Sequence, residues 1–106
     1  MPKYLIQAYY TTEGIKGLLR DSASGRRADV KAAVKAVGGT VEAFYYAFGS
    51  DDVITIVDLP DNIAAAAVGL ATSGSGAVRV RTTPLLTVEE IDQALEVQMQ
   101  YRPPGS

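Results

Sequence analysis

Cysteine, histidine and tryptophan are all absent from the 106 residues of this chain. Without cysteine there is no disulfide framework and no thiolate nucleophile. Without histidine the chain lacks the usual general base near neutral pH, and also the commonest metal ligand. Any zinc, copper or haem centre would have to be built from carboxylates, which suit Mg²⁺ or Ca²⁺ instead, so neither metal nor cofactor is expected. Long apolar runs are missing too. The longest, Ile63 to Ala71, is about half of the roughly 18–20 residues that a membrane span needs. The start, Met1-Pro2-Lys3-Tyr4-Leu5-Ile6, lacks the charged head and apolar body of a signal peptide. A cytoplasmic protein with no membrane partner is the expectation. Nor is there an excess of either charge: 10 Lys and Arg against 12 Asp and Glu leave a net −2. Such a balance gives no general attraction to nucleic-acid phosphates, so no nucleic-acid partner is expected.

What is present is an ordinary globular mixture, 47% hydrophobic and 21% charged. The length suits one core, hence a single domain over residues 1–106 with a flexible tail at about 101–106. Much of the apolar content is Ala and Val, which implies a core of small side chains.

Lys3 to Tyr10 reads as a strand. Thr12 reads as the cap of a helix with Ile15, Leu18 and Leu19 at helical spacing. Asp21-Ser22-Ala23-Ser24-Gly25 interrupts it, and Ser22 or Ser24 recaps a segment with Val30, Ala33, Val34 and Val37 on one face. Gly38-Gly39 ends that segment. Thr40 to Phe48 and Val53 to Leu59 form two strands joined by Gly49-Ser50-Asp51-Asp52. Asp61 or Asn62 caps a helix over Ile63 to Thr72, so apolar that close burial on the sheet is expected. Ala77 to Thr83 is the fourth strand, and Thr87-Val88-Glu89-Glu90 opens a last helix to about Gln100 with a capping-box pattern. The order β-α-β-β-α-β plus a C-terminal helix predicts an α+β fold. It is the ferredoxin-like antiparallel four-stranded sheet, with both main helices on one face.

Alternation then divides each strand. Tyr4, Ile6, Ala8, Val78, Val80, Ile54 and Ile56 are expected beneath the helices. The other face is expected to carry Leu5, Gln7, Tyr9, Val53, Thr55, Val57, Phe44, Tyr46, Arg79 and Arg81. An apolar patch of several hundred Å² signals a partner site. Sheet-on-sheet pairing of two copies, as in a dimeric α+β barrel, is the simplest closure. A homo-oligomer is therefore expected.

The chain resembles the GYD-domain family of small bacterial proteins. The residues that carry the likeness are Tyr4-Leu5-Ile6-Gln7-Ala8, Tyr10-Thr11, Gly14, Gly38-Gly39 and Ala43 to Gly49. Asp52-Val53, Val57 to Asp61, Arg79, Thr82 and Pro84 to Thr87 complete it, over roughly positions 3 to 102. One position departs: where the family has the Tyr of its Gly-Tyr-Asp signature, this chain has Asp51, with Gly49 before it and Asp52 after. The resemblance supports the fold and implies no reaction, because the family is defined by sequence.

Candidate ligand-binding residues are Gln7, Tyr9, Tyr46, Arg79 and Arg81. Guanidinium forks match anionic groups, and tyrosine hydroxyls can line a pocket. Their structural alternatives are ion pairs with Glu42 or a partner's carboxylate, and plain aromatic packing. Asp51, Asp52, Asp58 and Asp61 could hold a hard cation, but read equally as hairpin and cap residues. Ser22-Ala23-Ser24-Gly25-Arg26-Arg27 could be an anion site, a mobile lid or a solvated break. No catalytic residue can be named. The function expected is an oligomer that binds a small molecule or partner in intersubunit clefts on the sheet. The alternative is a cofactor-free enzyme of the oxygenase or isomerase type, whose proton transfers would rest on tyrosines and carboxylates.

Overall fold

The computed structural model describes residues 1–105. Strands β1 (Lys3–Tyr10), β2 (Thr40–Tyr46), β3 (Val53–Asp58) and β4 (Val78–Leu85) form one sheet in the order β2-β3-β1-β4. Every neighbouring pair is antiparallel. Helices α1 (Thr12–Arg20) and α2 (Ala23–Ala36) connect β1 to β2, α3 (Asn62–Gly74) connects β3 to β4, and α4 (Val88–Glu96) follows the sheet. This is the expected ferredoxin-like α+β arrangement. The last residue of the expected tail, Ser106, lies outside the described residues.

Local chemistry fixes the helix boundaries. Thr11, one residue before the expected cap, accepts the Gly14 amide and starts α1. Ser22 accepts the Gly25 amide and restarts the chain as α2. Gly38 stops α2 at φ 87°, a left-handed conformation that costs glycine nothing. Asp61 accepts the Ala64 amide at 2.9 Å to cap α3. Thr87 and Glu90 form the complete capping box of α4. That helix ends at Glu96, short of the expected Gln100.

The core gathers at one end of the sheet, around Tyr4, Ile6, Val34, Val57, Leu59 and Ala65. The Tyr4 hydroxyl donates to Asn62 Oδ1 at 2.7 Å, so its polar end is satisfied within that core. Register corrects the expected faces of β3. Tyr4, Ile6 and Ala8 stand opposite Val57, Thr55 and Val53, and all six are buried. Ile54 and Ile56 therefore occupy the bare face and Val53 and Val57 the covered one. The buried Thr55 hydroxyl donates to the Ala43 carbonyl at 2.6 Å. A bulge between Val41 and Ala43 shifts β2 in the same way. Phe44 and Tyr46, opposite Thr55 and Val53, thus share the helix side, leaving Ala43 and Tyr45 on the bare one.

Helix α3 corrects a second expectation. Only Ala65 is fully buried, with Ala64, Val68 and Gly69 half-buried, while Ile63 is 80% and Leu70 75% exposed. A helix over a sheet buries one stripe whatever its overall composition. From Leu86 to Gly105 every residue is exposed. The radius of gyration of 17.0 Å accordingly exceeds the roughly 13 Å of a close-packed chain of this length. Among the described residues no helix is long and apolar enough to cross a membrane.

Three glycines test these packing distances. A Cβ on Gly14 would overlap the Ala77 carbonyl oxygen, and one on Gly39 would overlap that of Asp58. Gly69, inside α3, has only Thr82 and Val80 side-chain atoms near, both at 4.0 Å. Gly69→Ala is expected to stabilise the fold by about 0.5–1 kcal/mol. Gly14→Ala and Gly39→Ala are expected to destabilise it by about 1–3 kcal/mol. Urea unfolding midpoints check both directions.

Candidate functional site

Two regions gather polar groups beside apolar ones, one on each side of the sheet. On the bare side, cross-strand register sets Gln7 between Ile54 and Arg81, and Tyr9 opposite Arg79. Leu5, Ile56, Ala43 and Tyr45 continue this face across the sheet. Asp51, in the β2–β3 hairpin, organises the polar strip. Its Oδ2 accepts from the Arg81 guanidinium at 2.7 Å and from the Gln7 amide at 3.2 Å. The carboxylate side chain is 11% exposed, against 66% for Arg81, so the acid is the fixed member of the pair. A guanidinium has five N–H donors, which leaves Arg81 able to meet a further acceptor.

At the far end of the same face, Lys3 Nζ donates to Asp58 Oδ1 at 2.9 Å and lies 3.2 Å from Glu42 Oε2. The hydrogen bond to Asp58, and after it that to Glu42, holds the ammonium above its ordinary range. Glu42 thus pairs with Lys3, while Arg81 takes Asp51. Asp52, next in sequence to Asp51, serves the strand pairing. Its carboxylate accepts the Tyr10 amide and its own amide donates to the Ala8 carbonyl, both at 2.8 Å. Among the described residues no three acidic side chains stand together as a cation site.

Of the candidate ligand residues, Gln7, Tyr9, Arg79 and Arg81 come together on the bare face and Tyr46 does not. The bulge in β2 turns Tyr46 to the helix side, where its ring meets Phe44 edge-on at 5.6 Å. Its hydroxyl donates to the Ala23 carbonyl at 3.4 Å, below the start of α2, and pairs with the Tyr10 side chain. Burial, then the bond to Tyr10, pushes this phenol up to about 12, against the pull of Arg26 and Arg27.

Beneath that junction lies a cavity of about 70 Å³ between sheet and helices. Ala8, Val53 and Val80 form its floor, with Val30, Val68 and Gly69 above. It adjoins a wider cleft of about 440 Å³ beside α1 and α3, and Tyr10, Arg26, Thr72 and Val78 line both.

The sequence names Asp51 only as a cation ligand or hairpin residue, not as the partner of Gln7 and Arg81, and does not single out Tyr10 as a site residue. Asp51 carried a signal, since it stands where a related signature has Tyr, but its partners are remote in sequence. Tyr10 carried none beyond its place at a strand end. The Ser22-to-Arg27 segment is a capped helix start whose Arg26 pairs with Asp29 at 3.1 Å.

A family model, the GYD domain, matches residues 4–95. No curated protein and no solved structure matches the chain.

Tyr46 gives a pH prediction. The folded chain holds its phenolic proton more tightly than an unfolded chain, with the pKa moved from 10.0 to about 12. Its contribution to stability is complete below pH 10 and is lost as pH rises toward 12. Phenolate absorbance at high pH should show one late-titrating tyrosine that disappears in Tyr46→Phe. An unchanged titration in that variant would refute the assignment.

Proposed function

The chain belongs to the GYD domain family, and we propose that it works as a homo-oligomer whose copies cover each other's bare sheet face and take a small ligand in the clefts between them. The observation that carries this reading is the face itself, where Leu5, Tyr9, Tyr45, Ile54 and Ile56 have no helix over them. At roughly 25 cal/mol per Å², covering several hundred Å² contributes on the order of ten kcal/mol before association costs. The polar strip of Gln7, Asp51, Arg79 and Arg81 at one end would border such a contact. There it offers guanidinium and amide donors to an anionic or carbonyl-bearing molecule.

Helix α4 supports the same reading. Isolated helices shorter than about 12–15 residues are marginal in water, and α4 has nine residues. Val88, Ile91 and Leu95 lie on one stripe and are 74%, 43% and 78% exposed. Its charged residues, Glu89, Glu90, Asp92 and Glu96, are all acidic, while α2 carries Arg26, Arg27, Lys31 and Lys35 against a single Asp29. A second copy offers both an apolar surface and the opposite charge.

Native mass spectrometry at micromolar concentration tests the assembly. The wild-type mass should be at least two whole multiples of 11.2 kDa. Ile56→Lys should shift it toward monomer without unfolding the chain, because residue 56 is on the bare face. Deleting residues 86–106 should weaken association less than Ile56→Lys does. A wild-type protein that is monomeric throughout would overturn the proposal.

A further inference from the structure

We infer that the space between the helices and the sheet is a second binding site, a pocket for a small carboxylate with a short apolar body. It lies on the opposite side of the sheet from the bare face and does not depend on association. The helix layer packs tightly at the Tyr4–Leu59 end, whereas the Tyr10 end is hollow. Small side chains keep it so. Ala8, Val53, Thr55 and Val80 form a shallow floor, and Gly69 presents no side chain above them. An added Cβ at Gly69 would stand 4.0 Å from Val80 and Thr82, so a larger residue would project into the space.

The chemistry at its rim selects the head group. Arg26 and Tyr10 line both the inner cavity and the outer cleft. Asp29 occupies Arg26 Nη1 at 3.1 Å, and the other guanidinium N–H groups remain available. A guanidinium beside a tyrosine matches a carboxylate. The outer cleft also carries Glu13, Arg20 and Asp21, so its charges balance and a single negative charge suits it better than a polyanion. The inner volume of about 70 Å³ is less than half of the ~150 Å³ cavity that holds benzene. The inner volume therefore takes about three carbons, and the rest of a four- to six-carbon acid, head included, lies in the 440 Å³ cleft.

Hexanoate and hexanol, equal in length and different in charge, are the probes, followed by amide chemical shifts. Hexanoate should bind in the millimolar range or tighter, moving the Gly69, Val80 and Thr82 amides, and hexanol should bind more weakly. Arg26→Gln should weaken hexanoate about tenfold and leave hexanol unchanged, the loss expected for one charged hydrogen bond. Gly69→Leu should abolish binding of both while the unfolding midpoint is kept. If Gly69→Leu does not fold, Gly69→Ala should reduce hexanoate affinity in a folded protein. No binding of hexanoate, equal binding of hexanol, or hexanoate binding that survives a folded Gly69→Leu would each overturn the proposal. Monomeric wild-type protein would refute the assembly and leave this pocket standing.

Discussion

One layer of helices can hide only every second side chain of the sheet it covers, and in this chain that limit governs everything else. The antiparallel pairing of β1 with β3 decides which side chains are hidden. Once Tyr4, Ile6 and Ala8 lie under the helices, Val57, Thr55 and Val53 must join them, and Ile54 and Ile56 must turn outward. The strands are apolar on both sides, so the choice of inner face does not make the outer face polar. A buried threonine and two half-exposed isoleucines result, and the Thr55 hydroxyl is satisfied by the Ala43 carbonyl across the strand.

The β2–β3 hairpin ties the two sides together. Asp51 reaches over the bare face to Arg81 and Gln7, while Asp52 binds the backbone at Ala8 and Tyr10. Tyr9 and Tyr10, also adjacent, point to opposite sides for the same reason of pleat. A change at this end of the sheet therefore acts on both candidate regions at once. At the other end the core is filled and Lys3 is held by Asp58 and Glu42. Packing is thus densest toward the Tyr4 end of the strands, and both candidate regions lie toward the Tyr10 end.

Much of the fold was legible because its signals are local. Ser22, Asp61 and the Thr87–Glu90 pair mark helix starts by side-chain chemistry within three residues. Gly38 marks an end by its backbone freedom. The strand faces were legible only where one parity is plainly polar, as with Arg79 and Arg81 in β4. In Val53-Ile54-Thr55-Ile56-Val57 both parities are apolar, and the single threonine suggests the wrong side. Only pairing with β1, some 50 residues away, resolves it. The bulge at Glu42 leaves no mark in the sequence, so Phe44 and Tyr46 were assigned to the bare face. The candidate site was legible as Gln7, Tyr9, Arg79 and Arg81. Its anchoring acid was not, because Asp51 meets Arg81 across 30 positions.

The hollow between the layers also has a mechanical consequence. Folded chains that enclose unfilled volume release it on unfolding, and compression favours whichever state takes up less room. The cavity of about 70 Å³ lies at the Tyr10 end and opens toward the wider cleft, so hydrostatic pressure, which drives water into loosely packed places, acts on that end. The hollow Tyr10 end would loosen under compression before the filled end around Leu59.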